Sequence, residues 1–207
     1  MIILSKEQIF KRITMTRPKE FNPDEVVDKA MNTFWQKGFE ATSINDLVDS
    51  TGINKASLYN TFGNKEKLFH SAIDRYFQRF VTTAVYQMDQ ESSGLTAITA
   101  FLYSAGEMAM NDDIKKGCFL TNSCIESTIL DEESKRRVSE SLSTMKNSFR
   151  RAITRAQESG ELSKKWDPDD MAFYLINMMQ GLRVLSKVIP DRERLKTVID
   201  ITIESLK

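Results

Sequence analysis

Apolar residues along the chain recur every three or four positions, and the short alternating runs that a half-buried strand requires are missing. Between Pro23 and Pro168 lie 144 residues without a proline, and the eight glycines are mostly solitary. Proline removes a backbone donor and blocks the preceding helical turn, so this spacing predicts helices joined by short turns. The whole chain reads as all-α.

The first helix is predicted at Asn22-Pro23-Asp24-Glu25, where Asn22 caps, proline takes the first helical position and two carboxylates face the positive end of the dipole. Val26, Val27, Ala30, Met31, Phe34 and Trp35 form its apolar stripe, which ends at Lys37-Gly38. Thr42 or Ser43 caps a second helix, with Asp46 placed to complete a capping box with Ser43, and Ile44, Leu47 and Val48 supply its buried face. Gly52 suits a tight left-handed turn. Asn54 caps a short third helix from Lys55 to about Phe62, with Leu58 and Phe62 inward. Asn64 caps a fourth that begins at Lys65 and carries Leu68, Phe69, Ala72, Ile73, Tyr76, Phe77 and Phe80. Five more are expected at roughly 94–111, 117–129, 132–159, 168–188 and 191–206. The chain divides near residue 65, into a flexible arm at 1–20, a head at 21–65 and a helical domain at 66–207.

Composition narrows the function classes. The chain has 207 residues, 41% apolar and 28% charged, with 29 basic against 29 acidic side chains, as in an ordinary globular protein. No apolar run approaches the roughly 20 residues that cross a bilayer. The opening residues lack the pattern of a secretory signal, so a cytoplasmic location and no membrane partner are expected. Two cysteines cannot build a disulfide framework, and one histidine leaves little for a metal site. No Walker A loop, dinucleotide fingerprint or His-Glu-x-x-His occurs, and His70 reads as a surface or domain-junction residue. No enzyme activity and no cofactor are expected.

Two helices of about eight residues around a glycine-containing turn make a helix-turn-helix, whose second helix can enter a major groove. The outward residues of that helix are Lys55, Ala56, Ser57, Tyr59, Asn60 and Thr61, all small, hydrogen-bonding or basic. They suit phosphates and base edges, and they suit equally the solvated face of a surface helix. Bulk charge does not decide, because residues 1–70 hold ten basic and nine acidic side chains. Lys55, Lys65 and Lys67 nevertheless gather near the proposed surface, and a low-charge head predicts a modest salt dependence.

The residues from Gly38-Phe39-Glu40-Ala41-Thr42-Ser43 to Asp46-Leu47, followed by Thr51-Gly52-Ile53-Asn54-Lys55-Ala56-Ser57-Leu58-Tyr59-Asn60-Thr61-Phe62-Gly63-Asn64-Lys65-Glu66-Lys67-Leu68-Phe69, closely resemble the DNA-binding head of TetR-family transcriptional regulators. The resemblance implies a three-helix head joined through the fourth helix to an effector-binding and dimerisation domain. It further implies that Lys55 to Phe62 is the recognition helix, that Thr42 or Ser43 anchors the second helix to phosphate, and that Tyr59 and Lys65 grip the DNA backbone. Val48 and Thr51 stand where the family commonly has alanine, which bears on how closely the second and third helices cross. Met15 begins Met-Thr-Arg-Pro-Lys-Glu-Phe, a conventional opening for the family, and is a second candidate start beside Met1. The arm, with Lys11, Arg12, Arg17 and Lys19, is either a minor-groove contact or a plain disordered terminus.

In the long downstream helices Val138, Leu142, Met145, Phe149, Ile153 and Ala156 share one stripe, and Met171, Leu175, Met178, Leu182 and Leu185 share another. Such a pair either closes the monomer's core or meets its copy in a four-helix bundle. The resemblance favours a homodimer on a palindromic double-stranded DNA operator, released by an unknown small-molecule effector. Gly117 to Glu126 and Gln180 to Leu185 resemble one branch of the family. Asn122 and Glu126, one turn apart, either orient a ligand or bond to neighbouring helices. Phe101, Met108, Phe119, Tyr174 and Met178 are candidate pocket residues or plain core. Cys118 and Cys124 raise a thiol-sensing alternative. Within one helix they lie about 120° apart in azimuth and some 9 Å apart along the axis, too far to pair, and Lys115 and Lys116 are the cations that would activate Cys118. The rival of another class is a helical small-molecule-binding enzyme.

Overall fold

The computed structural model describes residues 21–111 and 116–207. The arm with Lys11, Arg12, Arg17 and Lys19, the start at Met15, and Lys115 lie outside the described residues. Every described element is helical, and no strand occurs among them. No helix among them is long and apolar enough to cross a membrane.

Local chemistry sets the helix starts. Asn22 accepts the Asp24 N–H at 3.0 Å and opens α1 (Pro23–Lys37). Ser43 and Asp46 form the reciprocal capping box that opens α2 (Ile44–Thr51), which Gly52 ends in the left-handed region at φ 78°. Asn54 caps α3 (Lys55–Phe62) and Asn64 caps α4 (Lys65–Tyr76). The fourth helix does not continue smoothly through Phe80. It passes into a π-helical turn, Phe77–Val81, in which the Thr82 N–H reaches back five residues to the Phe77 carbonyl, and continues as α5 (Thr82–Gln90). Beyond follow α6 (Gly94–Met110), α7 (Phe119–Ile125), α8 (Glu132–Glu158), α9 (Pro168–Leu185) and α10 (Arg192–Leu206).

In the head, α1 packs on α2 and α4 around Phe34, Leu47, Leu58, Leu68 and Phe69, all fully buried. The body is built on α8, whose 27 residues span about 40 Å and touch α4 through α7 and α9. Its stripe of Val138, Met145, Phe149, Ile153 and Ala156 is buried within this chain, so for α8 the reading that the stripe closes the chain's own core is the one that holds. On α9 the stripe divides, with Met171, Leu175 and Leu182 buried and Leu185 exposed.

Gly94, at the start of α6, lies against the backbone of α8. A Cβ there would lie 2.0 Å from the Ala152 carbonyl oxygen and 2.7 Å from the Ala156 nitrogen on α8. Backbone cannot yield as a side chain does, so Gly94→Ala is expected to cost about 1–3 kcal/mol and to lower the thermal midpoint by several degrees.

The head joins the body through polar contacts as well. His70 Nε2 on α4 lies 3.0 Å from Asp131, the N-cap of α8, which makes His70 a junction residue. Burial works to raise the Asp131 carboxyl, but hydrogen bonds from Ser134 and His70 outweigh it and pull the carboxyl down to about 2. A folded-state value below the unfolded one stabilises fully above about pH 4, and that stability is lost as pH falls toward 2. The melting difference between the wild type and Asp131→Asn is therefore expected to shrink from pH 5 to pH 2.

Candidate nucleic-acid interface and effector cavity

The turn through Gly52 sets α3 across the end of α2 with Leu58 fully buried and Ile53 sealing the turn. The opposite face of α3 is free. Lys55, Ala56, Tyr59 and Asn60 are exposed, and Ser57 and Thr61 are half-buried. The Lys55 ammonium stands 5.9 Å from the Tyr59 ring centre, so a cation and a phenol hydroxyl are presented together. Thr51 is buried with its hydroxyl donated to the Leu47 carbonyl, which accommodates the larger side chain at that position.

Two backbone anchors read from the sequence fare differently. Thr42 is fully buried and its hydroxyl donates to the Gly38 carbonyl, so of the pair only Ser43 stands at the surface. Ser43 is bound to Asp46, whose carboxyl is held well below the usual range by Lys37 and then by Ser43 itself. Lys65 turns inward. Its ammonium lies 4.4 Å above the Phe39 ring and donates to the Glu40 carbonyl at 3.4 Å, and burial pulls its pKa down.

A cavity of about 440 Å³ opens in the body between α4, the π turn, α5, α6, α7, α8 and α9. Phe101 and Met108 line it, as expected, together with Tyr76, Phe80, Leu120, Leu142, Met145 and Met179. Its polar lining includes Cys118, Gln180 and Arg183, which periodicity did not reveal. π turns are inserted where packing demands an extra residue, and they frequently sit at functional sites. Here the turn supplies Arg79, Phe80 and Val81 to the cavity wall.

The remaining residues proposed for the cavity lie elsewhere. Phe119 is buried among aromatic rings that join head to body, with ring centres 5.5 Å from both Phe69 and Tyr76. Tyr174 is exposed on α9 in a separate shallow site with Trp166 and Met171. Met178 is half-buried against the core and does not line the cavity. Asn122 and Glu126 do face one way, but toward the head. Asn122 Nδ2 donates to the Lys116 carbonyl at 2.9 Å and the Trp35 carbonyl at 3.4 Å, while Lys187 donates to its Oδ1. Glu126 accepts the backbone N–H of Phe39 at 2.8 Å and of Glu40 at 3.2 Å. Gly38 makes room for this grip, since a Cβ there would sit 2.6 Å from Glu126 Oε1 and φ is +85°. Trp35 Nε1 adds a bond to the Gly117 carbonyl at 3.1 Å.

The two cysteines differ. Cys118 is buried, with its sulfur 3.5 Å from the Tyr76 hydroxyl. Burial alone would push this thiol up, but Arg183, Thr121 and Tyr76 outweigh it and bring it below its ordinary value. Arg183, rather than Lys116, is its cation, and Lys116 lies 4.6 Å over the Trp35 ring. Cys124 is exposed, and desolvation of its sulfur and then Cys118 push its thiol up.

The amino-terminal model of the tetR family of bacterial regulatory proteins matches residues 26–72, and a tetracyclin repressor-like C-terminal domain matches residues 94–202. The chain belongs to the tetR family. This TetR-family protein is 30% identical to the HTH-type transcriptional repressor ComR of Escherichia coli over 90% of each chain. It is 31% identical to the HTH-type transcriptional regulator YezE of Bacillus subtilis over 93% of this chain and 100% of that one. Among solved structures, a cysteine-substituted mutant of the TetR family regulator CifR, in complex with a 26 bp double-strand operator DNA, superposes with a TM-score of 0.81. The identity is 25%, covering 92% of this chain and 100% of that one. The reduced form of NemR from E. coli shares the fold at 16% identity and a TM-score of 0.80, covering 86% of this chain and 93% of that one. The protein is thus a DNA-binding transcriptional regulator and not an enzyme.

Proposed function

We propose that this TetR-family regulator is a cytoplasmic repressor that occupies a palindromic operator as a homodimer and is released by a small-molecule effector. The reading rests on one observation above the others, the free polar face of α3 opposite a fully buried Leu58. In this reading Lys55 and Tyr59 contact phosphates, and Ala56, Ser57, Asn60 and Thr61 meet base edges. Ser43 brings the start of α2 to a phosphate, and Lys65 acts by fixing the Phe39-Glu40 turn. The solved CifR structure with operator DNA and the name of the ComR repressor support the direction of control.

For the dimer, the supporting feature is the apolar surface of α9, α10 and the turn between them. Phe173, Leu185, Val188, Ile189 and Ile201 are each more than half exposed, and large apolar side chains left open in this number suit burial against a second copy. Two heads joined there would meet half-sites roughly 34 Å apart. The variant Ile201→Glu is expected to sediment as a monomer and to lose operator binding. An unchanged dimer would move the interface off α10.

For release, the cavity is the effector site. An effector that binds better where the heads no longer fit the grooves weakens DNA affinity by the factor that DNA weakens its own. The thiol alternative finds less support, because the Cys118 sulfur is buried and engaged with the Tyr76 hydroxyl and the Cys124 thiol is pushed up. The test is retention of genomic fragments followed by footprinting. Two protected half-sites with a modest salt slope support the reading, and absence of sequence-selective retention rejects it.

A further inference from the structure

The cavity contains a charge without a counter-charge. Arg183 lines it, and a guanidinium keeps its charge at any working pH. Its side-chain partners are the Cys118 thiol and the Tyr76 hydroxyl, and none of the arginine–carboxylate pairs among the described residues includes Arg183. The other charged groups of the wall are engaged. Arg79 faces Asp28 at 3.8 Å, and Glu91 accepts from Ser92 and from the Ser93 backbone.

A second unfilled donor stands beside it. Gln180 precedes Arg183 by three residues on α9, so the two share a face. Its Oε1 accepts the Thr121 hydroxyl, while its Nε2 is buried with no hydrogen-bond partner. A buried donor left unpaired is costly, and so is a desolvated cation without an anion. Both deficits are of one kind, since each calls for acceptor oxygens and the pair calls for one negative charge. The rest of the wall is mostly apolar, with Thr83, Gln87 and Ser104 as its further polar side chains. Phe101 is fixed edge-on to Phe149 at 5.1 Å, and Met145 and Met179 are side chains that adapt their shape.

We propose that this cavity takes small amphipathic monocarboxylates, with the carboxylate on Arg183 and Gln180 and the apolar body against Phe101, Met145 and Met179. The inference rests on the cavity being the effector site. A carboxylate meets a guanidinium through two parallel charge-assisted bonds, which a neutral amide cannot reproduce. A cation is repelled by Arg183, and a dianion has only one uncompensated cation to meet it in a space whose remaining lining is mostly apolar.

The experiment titrates the full-length protein calorimetrically with octanoate against octanamide and with 3-phenylpropanoate against its amide. The acids are expected to bind roughly ten- to a hundred-fold tighter than the amides. Arg183→Gln is expected to remove that preference while leaving amide affinity within about threefold, Arg183→Lys to keep part of it, and Gln180→Leu to weaken the acids alone. Thermal melts establish that each variant is folded. If Arg183→Gln does not fold, the acid-to-amide contrast in the wild type and in Gln180→Leu decides. Equal affinity for acid and amide, as expected if a Cys118 thiolate already neutralises Arg183, overturns the proposal, and so does failure of all four compounds to bind. Release of DNA by acids and amides alike would keep the effector reading and remove the carboxylate site. Acid-selective binding without any change in DNA retention would keep the carboxylate site and remove the effector reading.

Discussion

Replacing Tyr59 with alanine is expected to lower affinity for operator and non-operator duplexes alike, by about 1–3 kcal/mol or roughly 5- to 150-fold. Tyr59 is 37% exposed on the free face of α3, beside the Lys55 ammonium, and a phenol hydroxyl there reaches phosphate rather than a particular base. Asn60 is the contrasting case, being exposed one position on, and its amide can bond two groups on an adenine edge at once. Asn60→Ala is therefore expected to narrow the gap between operator and non-operator binding. Lys55→Ala should lower the slope of log affinity against log salt by about 1. Anisotropy titrations at two salt concentrations measure all three, and wild-type behaviour throughout would remove α3 as the contact helix.

The second large effect is expected at Glu126. Its carboxylate accepts two backbone N–H groups from the turn between α1 and α2, both charge-assisted bonds. Glu126→Ala leaves those donors unfilled, and a loss of about 2–3 kcal/mol in the grip on the head follows. Amide exchange at Phe39 and Glu40 should rise, while the buried amide of Leu58 stays protected. Because Glu126 ties the cavity-lining layer to the head, an effector bound in the variant should release DNA less completely, by roughly tenfold. Unchanged exchange at Phe39 and Glu40 together with full release would show that the grip transmits nothing.

Helix starts were legible in the sequence because capping chemistry is confined to three or four residues. Asn22, Ser43, Asn54, Asn64 and Asp167 each accept the backbone donors that their positions imply. The π turn was not legible, since Tyr76 and Phe80 continue a helical stripe. The extra residue answers to what Trp35 packs against, with ring centres 5.1 Å from Tyr76 and 5.5 Å from Phe80. The free face of α3 could be read from spacing, but the choice between Thr42 and Ser43 could not, because burial decides between neighbours. Asn122 and Glu126 show the limit of periodicity, which says that two side chains face alike and not what stands opposite. Arg183 and Gln180 were hidden for a related reason. The cavity wall is assembled from distant helices, and one polar residue on an apolar stripe carries no sign of its role.

Leu120 faces the cavity, while Asn122, two positions along the same short α7, reaches toward the head. A step of two residues on a helix is a turn of about 200°, so cavity and head lie on opposite sides of seven residues. Inheritance can therefore vary one side without rewriting the other. Descendants that trade Leu120 for a smaller or larger neighbour of the ligand would acquire a new chemical vocabulary while answering to the same stretch of genome.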